Sequence, residues 1–175
     1  GADHARLRAD AASALAQFPL AAALPALQTA LADTSARVRA AAAAALASHA
    51  DARAFALARE TFERDTSYAV RAAALTTAAS LDPEGARDLV LEALRTPSYR
   101  DVIQVAALEA GVASGDTAIV AAAEAQLGDQ RLVALALGAM GARGVDAARQ
   151  ALERHRDDPR PRVRRWVADA LGRSY

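Results

Sequence analysis

The 175-residue chain contains no cysteine, no lysine and only seven aromatic side chains. Without cysteine there are no disulfides, no thiolate zinc sites and no cysteine nucleophile. That absence fits any compartment, so localisation stays unknown, with cytoplasm and periplasm both open. Aromatic residues make up 4% of a chain that is 53% hydrophobic, so alanine and leucine must carry the core. Alanine has the highest helix propensity and lets helices approach closely, whereas a sheet would want β-branched and aromatic residues. All 21 basic residues are arginines, balanced by 21 acidic ones. A neutral chain exerts no overall pull on nucleic acid or an anionic membrane. The three histidines, His4, His49 and His155, form no convergent set of metal ligands in the sequence. No G-x-S-x-G, P-loop or G-x-G-x-x-G occurs. Ser35, Ser67 and Ser98 recur at equivalent places, which points to helix capping and away from nucleophilic chemistry. Catalytic, cofactor-binding and metal-ligating residues are therefore all expected to be none.

Ala11 to Ala32 is the longest run without a charge, 22 residues, and it is long enough to cross a bilayer. Phe18-Pro19 interrupts it, and Gln17, Pro25, Gln28 and Thr29 lie within it. Two short buried helices are expected here, and no membrane span. The chain opens on Gly1 with no signal-peptide pattern after it. The expectation is one domain over 1–175, cut from a longer natural chain.

What is present is a repeat. Asp33-Thr34-Ser35-Ala36-Arg37-Val38-Arg39, Asp65-Thr66-Ser67-Tyr68-Ala69-Val70-Arg71 and Asp158-Pro159-Arg160-Pro161-Arg162-Val163-Arg164 share the pattern D-x-x-x-x-V-R, each opening an alanine-rich helical stretch. Weaker copies start at Leu7-Arg8, Ile103-Gln104 and Leu132-Val133. Their aliphatic anchors, Leu7, Val38, Val70, Ile103, Leu132 and Val163, stand 31, 32, 33, 29 and 31 residues apart. A fixed period of this length means a solenoid, whose function lies on a surface. Each period divides into two amphipathic helices. The first copies are expected near 5–17, 35–48, 67–80, 99–113, 130–141 and 160–172, with apolar stripes such as Leu20, Leu24, Leu27 and Leu31 marking the second ones. Proline and glycine fall between them, and Asp33, Asp65 and Asp158 with their neighbouring hydroxyls offer N-cap oxygens.

The unit D-x-x-x-x-V-R-x-x-A-A-x-x-A-L followed by a shorter helix resembles the HEAT repeat in a short form. That resemblance implies an all-α, right-handed alpha-alpha superhelix of about five helix pairs plus a terminal helix. The pair Asp65-Thr66-Ser67-Tyr68-Ala69-Val70-Arg71-Ala72-Ala73-Ala74-Leu75 and Thr96-Pro97-Ser98-Tyr99-Arg100-Asp101-Val102-Ile103 also resembles the HEAT-like C-terminal region of some bacterial aminopeptidase-N-type zinc metallopeptidases. The resemblance implies a helical module packed on a catalytic domain of a larger hydrolase, with zinc held upstream. The motifs H-E-x-x-H and G-x-M-E-N are absent from these residues, so no catalytic residue carries over. The chain by itself is expected not to be an enzyme. Its expected partner is protein, either its own catalytic domain or, for a free-standing adaptor, a separate protein. An enzymatic or ligand-binding solenoid, such as the HEAT-like phycobilin lyases or DNA glycosylases, is the third class.

Two groups of residues carry the surface expectations. Arg8, Arg39, Arg71 and Arg164 repeat after each anchor and are expected to tie neighbouring units together by pairing with Asp33, Asp65 and Asp158 or with helix-end carbonyls. Near the end, Arg154, Arg156, Arg160, Arg162, Arg164, Arg165 and Arg173 face only Asp157, Asp158 and Asp169. Within this cluster Arg154, Arg156, Arg162, Arg165 and Trp166 form the candidate interaction patch, against the plainer reading of a solvated terminal cap. Nucleic acid fits poorly, because aromatics are few and the basic charge sits at one end.

Overall fold

The computed structural model describes residues 2–128 and 130–172. Within them lie eleven α-helices: α1 Ala2–Ala14, α2 Leu20–Leu31, α3 Ala36–Ala45, α4 Ala52–Arg64, α5 Tyr68–Leu81, α6 Arg87–Arg95, α7 Val102–Ser114, α8 Thr117–Glu124, α9 Arg131–Ala142, α10 Asp146–Arg154 and α11 Pro161–Leu171. The order is five helix pairs and a terminal helix, as the period requires. The odd-numbered first helices stack directly on one another from α1 through α11, and each second helix packs against first helices of the array. No helix among the described residues is long and apolar enough to cross a membrane.

The turns that open the first helices use aspartate differently from a simple cap. Ser35 and Ser67 occupy the N-cap positions without any side-chain bond to the helix. Instead Asp33, Asp65 and Asp158 accept the backbone N–H groups of Ser35, Ser67 and Arg160 at 2.8, 2.8 and 2.9 Å. The carboxylate thus folds the chain back two residues on, in the manner of an Asx turn. Direct N-caps belong to second helices: Asp51 accepts from Arg53 N, and Asp116 from Ala118 N and Ile119 N. α7 starts three residues later than the repeat suggests. Arg100 and Asp101 have φ of 54° and 56°, and successive left-handed residues cannot propagate a right-handed helix. Its other end stops at Gly115, at φ 65°, where the absence of a β-carbon admits the left-handed turn.

Burial corrects two anchors. Val133, and not Leu132, is the buried one in the fifth unit, at 2% exposure. It stands 30 residues from both Ile103 and Val163, which removes the irregular spacing. Leu7 holds the anchor position of the first unit but is 66% exposed, whereas Val38, Val70, Ile103 and Val163 are at most 2% exposed. The physical reason is that an anchor is covered by the unit before it: Val38 lines a small cavity with Ala11, Ala12 and Leu15 of the first pair. No unit among the described residues precedes α1.

One register repeats along the spine. The residue seven after an anchor lies on the residue five after the preceding anchor. Thr77 Oγ1 donates to the Ala43 carbonyl at 3.0 Å, both groups buried. In α9, a β-carbon on Gly138 would stand 2.9 Å from the Ala170 carbonyl oxygen and 3.1 Å from its β-carbon. Small residues hold these places because the helix backbones approach closely there. We expect Gly138→Val to force α9 and α11 apart and cost about 1–3 kcal/mol, seen as a lower urea midpoint. Gly172→Ala, whose β-carbon would meet nothing nearer than 3.5 Å, should be neutral or slightly stabilising. A Gly138→Val protein as stable as the parent would contradict this packing.

Candidate interaction surface

Arginines following the anchors reach across the stack. Arg8 binds Asp33 through Nε at 2.7 Å and Nη2 at 2.9 Å. Arg39 binds Asp65 the same way, at 2.7 and 3.0 Å, while its Nη1 donates to the carbonyls of Asp33 and Thr34 at 2.9 and 3.3 Å. Each bond pair is a two-pronged arginine–carboxylate contact, the strong form of this interaction. Arg39 and Asp65 retain only 17% and 9% of their side-chain exposure. Hydrogen bonds from Arg8 and from the Ser35 amide hold the Asp33 carboxyl down, to about 2 from an ordinary 3.8. For Asp65 burial pushes upward, but the bonds from Arg39 and Ser67 N outweigh it and the pKa is lowered.

The ladder changes in the middle of the chain. Where the fourth unit would place an aspartate stands Thr96, so Arg71 has no carboxylate there and donates to the Phe62 carbonyl at 2.9 Å. Its guanidinium also lies over the Phe62 ring, 4.8 Å from the centroid. In the fourth unit Gln104 replaces the arginine and donates to the Leu94 carbonyl at 3.3 Å, joined there by Gln126 at 2.9 Å. Ala134 takes the place in the fifth. Further links run elsewhere, with Arg87 donating to Asp116 at 2.7 Å.

At the far end Arg164 keeps half of the ladder geometry. Its Nη1 donates to the carbonyls of Asp158 and Pro159 at 2.7 and 3.2 Å, matching Arg39 on Asp33 and Thr34. The Nε and Nη2 that Arg39 gives to Asp65 have no carboxylate partner here among the described residues. Asp158 is occupied by Arg160, which donates to it through Nε and Nη2, both at 2.9 Å; that contact holds the Asp158 carboxyl well below the usual range.

The expected patch divides. Arg154 is bound to Glu124 at 3.0 and 2.6 Å, and Arg156 to Glu153 at 3.4 Å. These two belong to inter-helix and local ion pairs. Arg162 and Arg165 lie exposed on α11 with no carboxylate partner among the described residues. Arg162 reaches the Gly128 carbonyl at 3.2 Å and stands over the half-buried Trp166, 5.8 Å from its ring centroid. Arg173 lies outside the described residues. In this segment the arginines with no carboxylate among the described residues are therefore Arg162, Arg164 and Arg165 on α11, and of these Arg162 lies against Trp166.

His155 faces two carboxylates, one of them three residues on. It lies 3.2 Å from Glu124 and 3.6 Å from Asp158. No group among the described residues could hold a metal ion. The clefts are shallow gaps between neighbouring units, such as one of 340 Å³ lined by Gln28, Leu31, Leu57, Glu60, Thr61 and Arg64.

Residues 30–111 match the family described as HEAT repeats, and the fold is a HEAT-like array of helix pairs. Comparison with curated proteins returns no match. Six chains of solved structures match. One is human deoxyhypusine hydroxylase in complex with glycerol, 20% identical, with 97% of this chain and 80% of that chain covered and a TM-score of 0.42. This overturns the expectation that the chain by itself is not an enzyme, because a solved structure it is similar to is a hydroxylase. At that identity and TM-score the likeness transfers no activity. The resemblance to aminopeptidase C-terminal regions gains no support from these matches.

Arg39→Ala should cost about 1.5–3 kcal/mol, because it strips a half-buried carboxylate of its charged donor, and should lower the melting temperature more than Arg8→Ala at the exposed end. A second outcome concerns pH. Asp33 and Asp65 have lowered pKa values in the folded chain, so their contribution is full above the ordinary carboxylate range and is lost as pH falls toward 2. The melting temperature of the parent should fall between roughly pH 4 and pH 2 more steeply than that of the Asp33→Asn, Asp65→Asn double variant. Parallel curves would remove these aspartates from the account.

Proposed function

We propose that this chain is a protein-interaction solenoid that docks through the outer face of α11. The observation that carries the reading is Arg162 and Arg165, exposed on α11 with no carboxylate among the described residues, and the Arg162 guanidinium over the half-buried Trp166. Arginine and tryptophan supply much of the energy at protein interfaces, and a guanidinium fork is matched to a carboxylate. The partner surface is therefore acidic protein. Nucleic acid suits this face less well, since a single indole offers little for base stacking. A narrower placement, as the C-terminal module of an aminopeptidase-N-type zinc hydrolase, is supported by residues 65–103 alone; there Tyr68 and Tyr99 stand exposed at matching turns. That placement requires zinc-dependent aminoacyl hydrolysis by the protein isolated from its source.

A photo-cross-linking amino acid at position 166, in protein expressed in the source cells, tests the docking reading. A discrete protein adduct is expected, lost when Arg162 and Arg165 are changed to Glu while the melting temperature holds. Adducts to nucleic acid, or protein adducts that persist in the charge-reversed variant, would overturn it.

A further inference from the structure

The third unit departs from the two before it at one place in the middle of the array. Arg8 meets Asp33 25 residues on, and Arg39 meets Asp65 26 residues on, each by a two-pronged contact. Arg71 holds the same place, one after its anchor, and 25 residues beyond it stands Thr96. The Thr96 hydroxyl does not turn to Arg71, because it donates to the Glu92 carbonyl at 2.9 Å. Asp101, the acid of that turn, makes no ion pair among the described residues. The gap lies between α5 and α7, which stack on each other, so it depends on neither end of the array.

A guanidinium has five N–H groups. In Arg71 only that on Nε has an acceptor among the described residues, the Phe62 carbonyl. The side chain is half-buried, and its contact with the Phe62 ring sets the plane of the group. Its Nη atoms still reach solvent: among the described residues the sealed side-chain nitrogens and oxygens without a partner are His49 Nε2 and Gln104 Oε1. A planar, partly desolvated fork gains two charge-assisted bonds from a carboxylate at little ordering cost. Tyr68 lies three residues before Arg71, on the same face of α5. Tyr99 stands in the next turn at the matching place, and both rings are exposed. The Arg100 guanidinium lies 5.8 Å from the Tyr99 ring centroid. Arg95, Arg100 and Asp101 are the charges of that turn, so with Arg71 the balance is positive.

We infer that the Arg71 fork is a docking site for an acidic segment of a partner protein, whose aspartate or glutamate carboxylate fills the rung that Asp65 fills for Arg39. The internal Arg39–Asp65 contact is the template for the bond, and it selects a carboxylate as the occupant. Tyr68 and Tyr99 receive an apolar side chain beside that carboxylate, and Arg100 favours further acid. The site is separate from the α11 face and does not rest on the docking reading made there.

Fluorescence anisotropy tests this with the N-terminally labelled peptide Gly-Asp-Phe-Gly-Asp-Phe-Gly-Asp-Phe-amide, which offers acid beside a ring in three registers. At about 0.15 M salt, where exposed charges are screened beyond about 8 Å, the parent should bind it with Kd of about 0.3 mM or tighter. Asparagine in place of every aspartate should weaken binding at least about tenfold, and alanine in place of every phenylalanine at least about threefold. In the chain, Arg71→Gln should weaken it at least about tenfold. Thr96→Asp should do the same with Arg71 in place, because an internal carboxylate then occupies the fork. That variant should also melt at least as high as the parent, so lost folding does not explain its lost binding. Arg162→Glu with Arg165→Glu should change the affinity by less than about threefold. No binding by the parent up to about 1 mM overturns the inference. So does an affinity that survives either Arg71→Gln or Thr96→Asp, or one that is lost with Arg162 and Arg165 instead.

Discussion

Close approach of successive first helices is the constraint on which the rest of the array depends. The residue seven after one anchor touches the residue five after the anchor before it, and the touch is near enough that Thr77 bonds the backbone of Ala43 and Gly138 has no room for a β-carbon. Alanine and glycine at these places let helix backbones come together, and dispersion across a close, dry contact replaces what larger side chains would supply. The alanine-rich composition follows from this contact. So does the near absence of aromatic residues: among the described residues Phe62, on the second helix α4, is the one large ring fully inside.

Polar links are laid over that apolar spine and not under it. Arg8–Asp33 and Arg39–Asp65 join units with two-pronged contacts, yet at the same place in the third and fourth units Arg71 and Gln104 turn to backbone carbonyls without interrupting the stack. The architecture therefore tolerates loss of any one polar tie. In a solenoid each unit's stability is the sum of its own folding and its two neighbour interfaces, so the ends are weakest because each has only one neighbour.

Most of the fold was legible in the sequence because its information is periodic. The D-x-x-x-x-V-R copies located the starts of α3, α5 and α11 to within one residue, and the count of five pairs plus one helix followed from the period alone. What escaped was not periodic. Leu132 and Val133 are both aliphatic, and only packing chooses the buried one. Leu7 matches its counterparts in type, but burial of an anchor is supplied by the unit before it, which a single unit's sequence does not contain. The paired state of Arg154 depends on Glu124, 30 residues away, and the late start of α7 on two left-handed residues that carry no glycine signal. Of the expected surface patch, Arg162, Arg165 and Trp166 lie together on α11, while Arg164, expected in the ladder, keeps the two carbonyl contacts of that ladder.

Amide hydrogen exchange of the intact chain tests this account most directly. It predicts the strongest protection in α3, α5, α7 and α9, which have a first-helix neighbour on both sides, and weaker protection in α1 and α11, which have one among the described residues. Uniform protection along the chain would contradict the repeated register.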